Sequence, residues 1–148
     1  MESSFTLNGV AVAQWDDLSG NGHHLTQSNS ALQPSFIQEN GENWVDFGGN
    51  RWLDTEFTMP PGPVYVRIQI DPVEYDGQSF RYIFDGATSL DTMAFGMHAN
   101  GIDMYSGQNF VVNDPFYTSQ TVEPHLVEFV FNGENSKMAI AGNEPCFF

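Results

Sequence analysis

No stretch of this chain sustains a 3.6-residue apolar repeat over three turns, and that absence constrains the fold more than any single motif. What recurs instead is short apolar runs cut apart by Gly, Asn, Asp and Pro. The clearest is Val64-Tyr65-Val66-Arg67-Ile68-Gln69-Ile70, whose β-branched alternation places one set of side chains on one face of a sheet. Further runs occupy residues 80–84, 93–97, 101–105, 110–112, 126–131 and 137–141, with Asn100-Gly101 and Asn132-Gly133 as hairpin signals. Upstream, Asn8-Gly9 reads as a turn before a strand from Val12 to Trp15, and His23 to Thr26 as the return strand. Gly41 to Asn43 reads as another turn, and Arg51-Trp52-Leu53 as a short strand beyond a Gly-Gly-Asn bend. Pro34 lacks an N–H and belongs at a strand start or an edge. About eleven short strands at this spacing predict an all-β chain, a two-sheet antiparallel β-sandwich, with residues 1–148 as one domain.

The composition supports a packed core and narrows the partners. The 148 residues include thirteen Phe, three Trp and five Tyr, too aromatic a chain to stay disordered. Nineteen acidic residues against four basic ones give a formal charge of −15, a field that repels phosphate backbones and anionic headgroups. Nucleic acid and membrane insertion are therefore not expected. The acidity itself is open to three readings: solubility in a salty medium, attraction of divalent cations, or a basic protein partner. Cys146 is the sole cysteine, so no internal disulfide is possible. The chain opens without a signal-peptide pattern and holds no run of about 20 apolar residues. That fits a protein not exported through a signal peptide, a piece of a longer chain, or a virion component built inside a host and working outside it.

The most patterned stretch is Trp15-Asp16-Asp17-Leu18-Ser19-Gly20-Asn21-Gly22-His23-His24-Leu25. Asp and Ser bond backbone groups one or two residues on, and Gly takes positive φ without a Cβ penalty, so a specified turn is expected. Trp15, Asp17, Ser19, Gly20 and Gly22 are its structural residues, with Asp16 or Asp17 bonding backbone inside the loop and Trp15 read as core. His23 and His24 are adjacent, so in a strand they face opposite ways and cannot share a metal. There is no Ser/His/Asp set and no phosphate-binding glycine loop, and Cys146 reads as inert.

Taken together, Gln14-Trp15-Asp16-Asp17-Leu18-Ser19-Gly20-Asn21-Gly22, then Gln33-Pro34-Ser35-Phe36, Val45-Asp46-Phe47-Gly48-Gly49 and Trp52-Leu53, resemble the opening of laminin-G-like domains of the concanavalin A-like lectin/glucanase superfamily. The hairpin from Pro124 through Asn132-Gly133 to Ala141-Gly142 is similar to a later pair of strands in that family. The resemblance implies a jelly roll. Its relatives usually continue past this hairpin, whereas this chain stops at Cys146-Phe147-Phe148, so the expectation is a shortened sandwich or one closed by strands from another chain.

Glucanases of that superfamily carry a Glu-x-Asp-x-x-Glu pattern on one strand. Glu74-Tyr75-Asp76 supplies the first two carboxylates here, but Ser79 stands where the acid/base would be, so catalysis is not expected. The expected function is a non-catalytic adhesion or structural module on a phage or virus particle, binding carbohydrate through Trp52, Tyr105 and Asn109. Other subunits, in a homo-oligomer or a virion, and glycans are the expected partners, and the location is virion or extracellular. The resemblance also implies rim calcium, for which Asp85 and Asp103 are the proposed ligands. The alternatives are a carbohydrate-binding module detached from a larger secreted enzyme or adhesin and, last, a glycoside hydrolase.

Overall fold

In a computed structural model, the structure describes residues 4–58, 62–71, 81–86, 93–98, 101–106, 112–114, 125–132, 135–140 and 146–147. Among the described residues every strand pairing is antiparallel, and the one helical element is a 3-10 turn, η1 (Ser30–Leu32). The chain is all-β. It divides into two compact units, Met1–Thr58 and Met59–Phe148.

The first unit is built on β2 (Ala11–Trp15). One edge of β2 pairs with β1 (Phe5–Asn8) across the turn that Asn8-Gly9 announces. The other edge is shared. β4 (Ser35–Glu39) meets its start through Ala11↔Ser35, and β3 (Leu25–Thr26) meets its end through Gln14↔Thr26 and Trp15↔Leu25. Pro34 lies just ahead of β4, and its carbonyl accepts from Val12 N–H at 2.8 Å, so the missing donor costs the ladder nothing. β5 (Glu42–Asp46) completes the order β1-β2-β4-β5.

Three expectations for this unit need correction. The turn between β4 and β5 is Asn40-Gly41, both at positive φ (53° and 84°), while Asn43 sits inside β5 opposite Gln38. A two-residue loop with positive φ at both positions matches the right-handed twist of its strands, which is why Asn-Gly is favoured there. His23 and His24 precede β3 rather than joining it. Residues 51–53 form no strand: Arg51 N–H bonds Phe47 C=O and Trp52 N–H bonds Leu32 C=O of η1, so neither donor joins a strand ladder. Only Asp54 behaves like a strand residue, through an isolated antiparallel bridge to Thr26.

The second unit contains two four-stranded sheets. One has the order β13-β12-β11-β6, from β6 (Val64–Ile70), β11 (His125–Phe131), β12 (Lys137–Ile140) and β13 (Cys146–Phe147). The other has the order β10-β9-β8-β7, from β7 (Arg81–Phe84), β8 (Met93–His98), β9 (Gly101–Ser106) and β10 (Val112–Asp114). β6 matches its expected range, and β8 and β9 pair with His98 opposite Gly101, although Asn100 lies outside the described residues. The strand expected at 110–112 is described from Val112 onward.

Alternation sorts the faces. Val127, Phe129 and Phe131 point inward from β11, each opposite an apolar residue of β6: Ile68, Val66 and Val64. They share one cluster with Met138 of β12, Met104 of β9, and Ile83 and Phe84 of β7, so the two sheets close on each other as a sandwich. Phe131 meets Phe129 at 6.1 Å and Phe84 at 6.3 Å between ring centroids. On the outer face Tyr65 Oη donates to Glu128 Oε1 at 2.5 Å, and Arg67 Nε lies 3.4 Å from the same oxygen. These exposed contacts add little stability. The burial of Phe129 should dominate: Phe129→Ala is expected to cost about 3–5 kcal/mol, seen as a lower urea midpoint, while Gln69→Ala on the outer face moves it by less than about 0.5 kcal/mol.

Candidate functional site

The loop between β2 and β3 is organised by one carboxylate. Asp17 Oδ1 accepts the Ser19 N–H at 2.8 Å and Oδ2 accepts the His23 N–H at 3.0 Å, so both ends of the loop are tied to a single side chain. In return the Asp17 N–H is taken by His24 Nδ1 at 3.0 Å. Ser19 Oγ accepts from the Asn21 N–H and, at 2.8 Å, from Asn21 Nδ2, filling the space between. The Ser19 hydroxyl, with the N–H groups of Ser19 and His23, holds the Asp17 carboxyl well below the usual carboxylate range, because each donor favours the charged form. Of the two aspartates expected to bond loop backbone, Asp17 fills that role. Asp16 Oδ1 accepts instead from Gln14 Nε2 at 2.7 Å.

This arrangement leaves an open depression of about 280 Å³ along one flank of the loop. It is lined by Trp15, Asp16, Asp17, Ser19, His23, Leu25, Thr55 and Phe57. Trp15 is the correction that matters most. Read as core, it is 37% exposed, with its ring 5.1 Å from Phe5. A β-bulge sets which face of the sheet it takes. Leu7 pairs with Val12 and Thr6 with Gln14, so Ala13 is an extra residue that resets the alternation. Val12, fully buried, and Trp15 therefore share the face on which Phe5 meets Phe36 at 5.4 Å, and Trp15 sits at the rim of that apolar layer.

The rest of the lining comes from the 54–57 segment, through Thr55 and Phe57. The Thr26 N–H bonds Asp54 C=O at 2.7 Å and the Asp54 N–H returns to Thr26 C=O at 3.0 Å, fixing the chain beside β3. Thr55 and Phe57, two residues apart, then line the depression, and the Phe57 ring meets His23 at 4.7 Å. Beneath, Gln27 and Gln33 are buried; Gln33 Nε2 donates to Gln27 C=O at 2.7 Å, and Gln27 Nε2 reaches Trp52 C=O at 3.4 Å. His23 and His24 do diverge, one to Phe57 and the other to Asp17.

The residues singled out for carbohydrate and metal are not gathered here. Trp52 is 47% exposed in the first unit but does not line the depression, Tyr105 is half-buried on β9 in the second, and Asn109 lies outside the described residues. Asp85 is exposed just after β7, and Asp103 stands on β9 opposite Gly96. Among the described residues no three His, Cys, Asp or Glu side chains cluster as a metal site would need. Glu74, Asp76 and Ser79 lie outside the described residues. Sequence reasoning does not single out Asp16, His23, Thr55 or Phe57 as site residues. For Thr55 and Phe57 the one signal is their two-residue spacing; for Trp15 the bulge leaves no mark in the sequence.

Two outcomes test the loop. Gly20 has φ +84° and open space, with no heavy atom within 4 Å of where a Cβ would stand, so Gly20→Val is resisted by backbone strain alone, about 1–2 kcal/mol, read as a lower melting temperature. Asp17 has a lowered folded-state pKa, so its contribution is complete above the unfolded value near 4 and declines as pH falls below it toward the folded value. Loop amide signals of Ser19 and His23 should therefore persist into acid in the wild type and be displaced at neutral pH in Asp17→Asn, whose amide offers one acceptor where two are used.

Against known proteins, the chain matches no family model, no curated protein and no solved structure.

Proposed function

We propose that this protein is a non-catalytic, saccharide-binding adhesion module whose ligand lies in the depression between Trp15 and Phe57. The observation that carries the reading is the convergence of two exposed aromatic side chains, 37% and 43% exposed, on one depression that also presents carboxylates and hydroxyls. An indole or phenyl face suits the apolar face of a sugar ring, and Asp16, Ser19 and Thr55 offer polar groups for its hydroxyls. A glycosidase needs one carboxyl held protonated as an acid beside an ionised one, and the donors around Asp17 make it unsuited to the acid role. The laminin-G-like resemblance of the first third, and the jelly roll it implies, supports the same class of function.

Calorimetric titration with a panel of neutral and charged oligosaccharides tests this. Trp15→Ala and Phe57→Ala are each expected to weaken binding at least tenfold, about 1.4 kcal/mol, while Leu18→Ala, at an 81% exposed position outside the lining, leaves it unchanged. Far-ultraviolet circular dichroism confirms that the variants fold. Saccharide affinity indifferent to both aromatic truncations, or no saccharide affinity at all, rejects the proposal.

A further inference from the structure

The charge of the depression selects among saccharides. We infer that it takes an amino sugar with a free, protonated amine, an assignment that rests on the saccharide reading above and specifies its ligand. The lining brings two carboxylates, Asp16 and Asp17, together with exposed Trp15, Phe57 and His23, and includes no lysine or arginine. Both carboxylates are fixed before any ligand arrives. Asp16 is oriented by Gln14 Nε2 at 2.7 Å, and Asp17 by the Ser19 and His23 N–H groups. A ligand therefore meets them without ordering them first, which keeps the cost of binding low.

An ammonium group gains twice in such a place. It makes charge-assisted hydrogen bonds to a carboxylate, and it is attracted to the face of an aromatic ring. The surroundings act in the same direction: residues 1–58 hold eight acidic residues and one basic residue, Arg51, which donates to Ser35 Oγ. A uronic or sialic acid brings a carboxylate into this field and is repelled. The pyranose ring supplies what an ammonium alone lacks, an apolar face of a size for Trp15 or Phe57. An amino sugar joins both features in one ring.

N-acetylation removes the charge and leaves the ring, which gives the test. Glucosamine, N-acetylglucosamine and galacturonic acid hexamers are titrated at mildly acidic pH, above the ordinary carboxylate range and where the sugar amines are protonated, against the whole chain and against Asp16→Asn, which keeps an oxygen for Gln14. The glucosamine hexamer is expected to bind at least tenfold more tightly than its N-acetylated form, with the gap narrowing between about 0.05 and 0.5 M salt. Asp16→Asn should close the gap by weakening the glucosamine hexamer far more than its N-acetylated form, whereas Phe57→Ala should weaken both. Equal binding of the two hexamers, both lost in Phe57→Ala, overturns the amino-sugar assignment and leaves the saccharide reading standing. Absence of binding by all three overturns both. A gap that survives in Asp16→Asn, or a lysine-rich peptide that binds as tightly as the glucosamine hexamer, also overturns the assignment.

Discussion

The site depends on one carboxylate, that of Asp17, accepting the backbone N–H groups of Ser19 and His23 at once. Without Asp17, the segment from Leu18 to Gly22 has few apolar contacts to hold it: Leu18 is exposed and Gly20 has open space where a side chain would be. With it, the backbone at His23 is pinned, and so is the imidazole that meets Phe57. The loop is rigid for an electrostatic reason rather than a packing one. Local hydrogen bonds of this kind are what Asp and Ser offer a chain in place of regular ladders.

Two devices of the β2 strand then turn a rigid loop into a depression. Its second edge is divided between β4 at the start and β3 at the end, so the loop leaves and returns beside the same strand. The bulge at Ala13 keeps Trp15 on the apolar face of the sheet but at its margin, where it meets Phe5. Had alternation run without a bulge, Trp15 would lie on the face opposite Val12, away from Phe5. The extra residue thus decides which side of the sheet carries the indole.

Much of this unit and its neighbour is legible in the residues themselves. β6 is legible because its alternation is unbroken over seven positions, and the loop because each of its polar residues has a turn role that needs no distant partner. The antiparallel all-β class follows from the same local signals. What is not legible depends on pairing. The Arg51-Trp52-Leu53 run looks like a strand, yet a strand needs a neighbour's edge, and the carbonyls these residues meet belong to Phe47 and Leu32. The Asn40-Gly41 turn is hard to place because Asn43 follows closely with turn propensity of its own, and only the pairing of Gln38 with Asn43 decides between registers. Phe57 gives no signal as a site residue, since its place follows from the two hydrogen bonds between Thr26 and Asp54.

Exposure alone does not mark a binding surface, and the distinction rests on how the exposed groups are arranged. Val10 and Leu18 are more exposed than Trp15 or Phe57, but each stands singly at a turn, where an apolar side chain is ordinary. Trp15 and Phe57 are 42 residues apart in sequence and are brought to one depression by a bulge on one side and a bridge on the other. The same depression is lined by a carboxylate that local donors keep charged, so it pairs apolar faces with fixed negative charge. That pairing penalises a purely apolar ligand, which would cover Asp17 without offering it a donor, and equally an anionic one. A ligand with a flat apolar face and a donor-rich, preferably cationic, edge satisfies both demands at once.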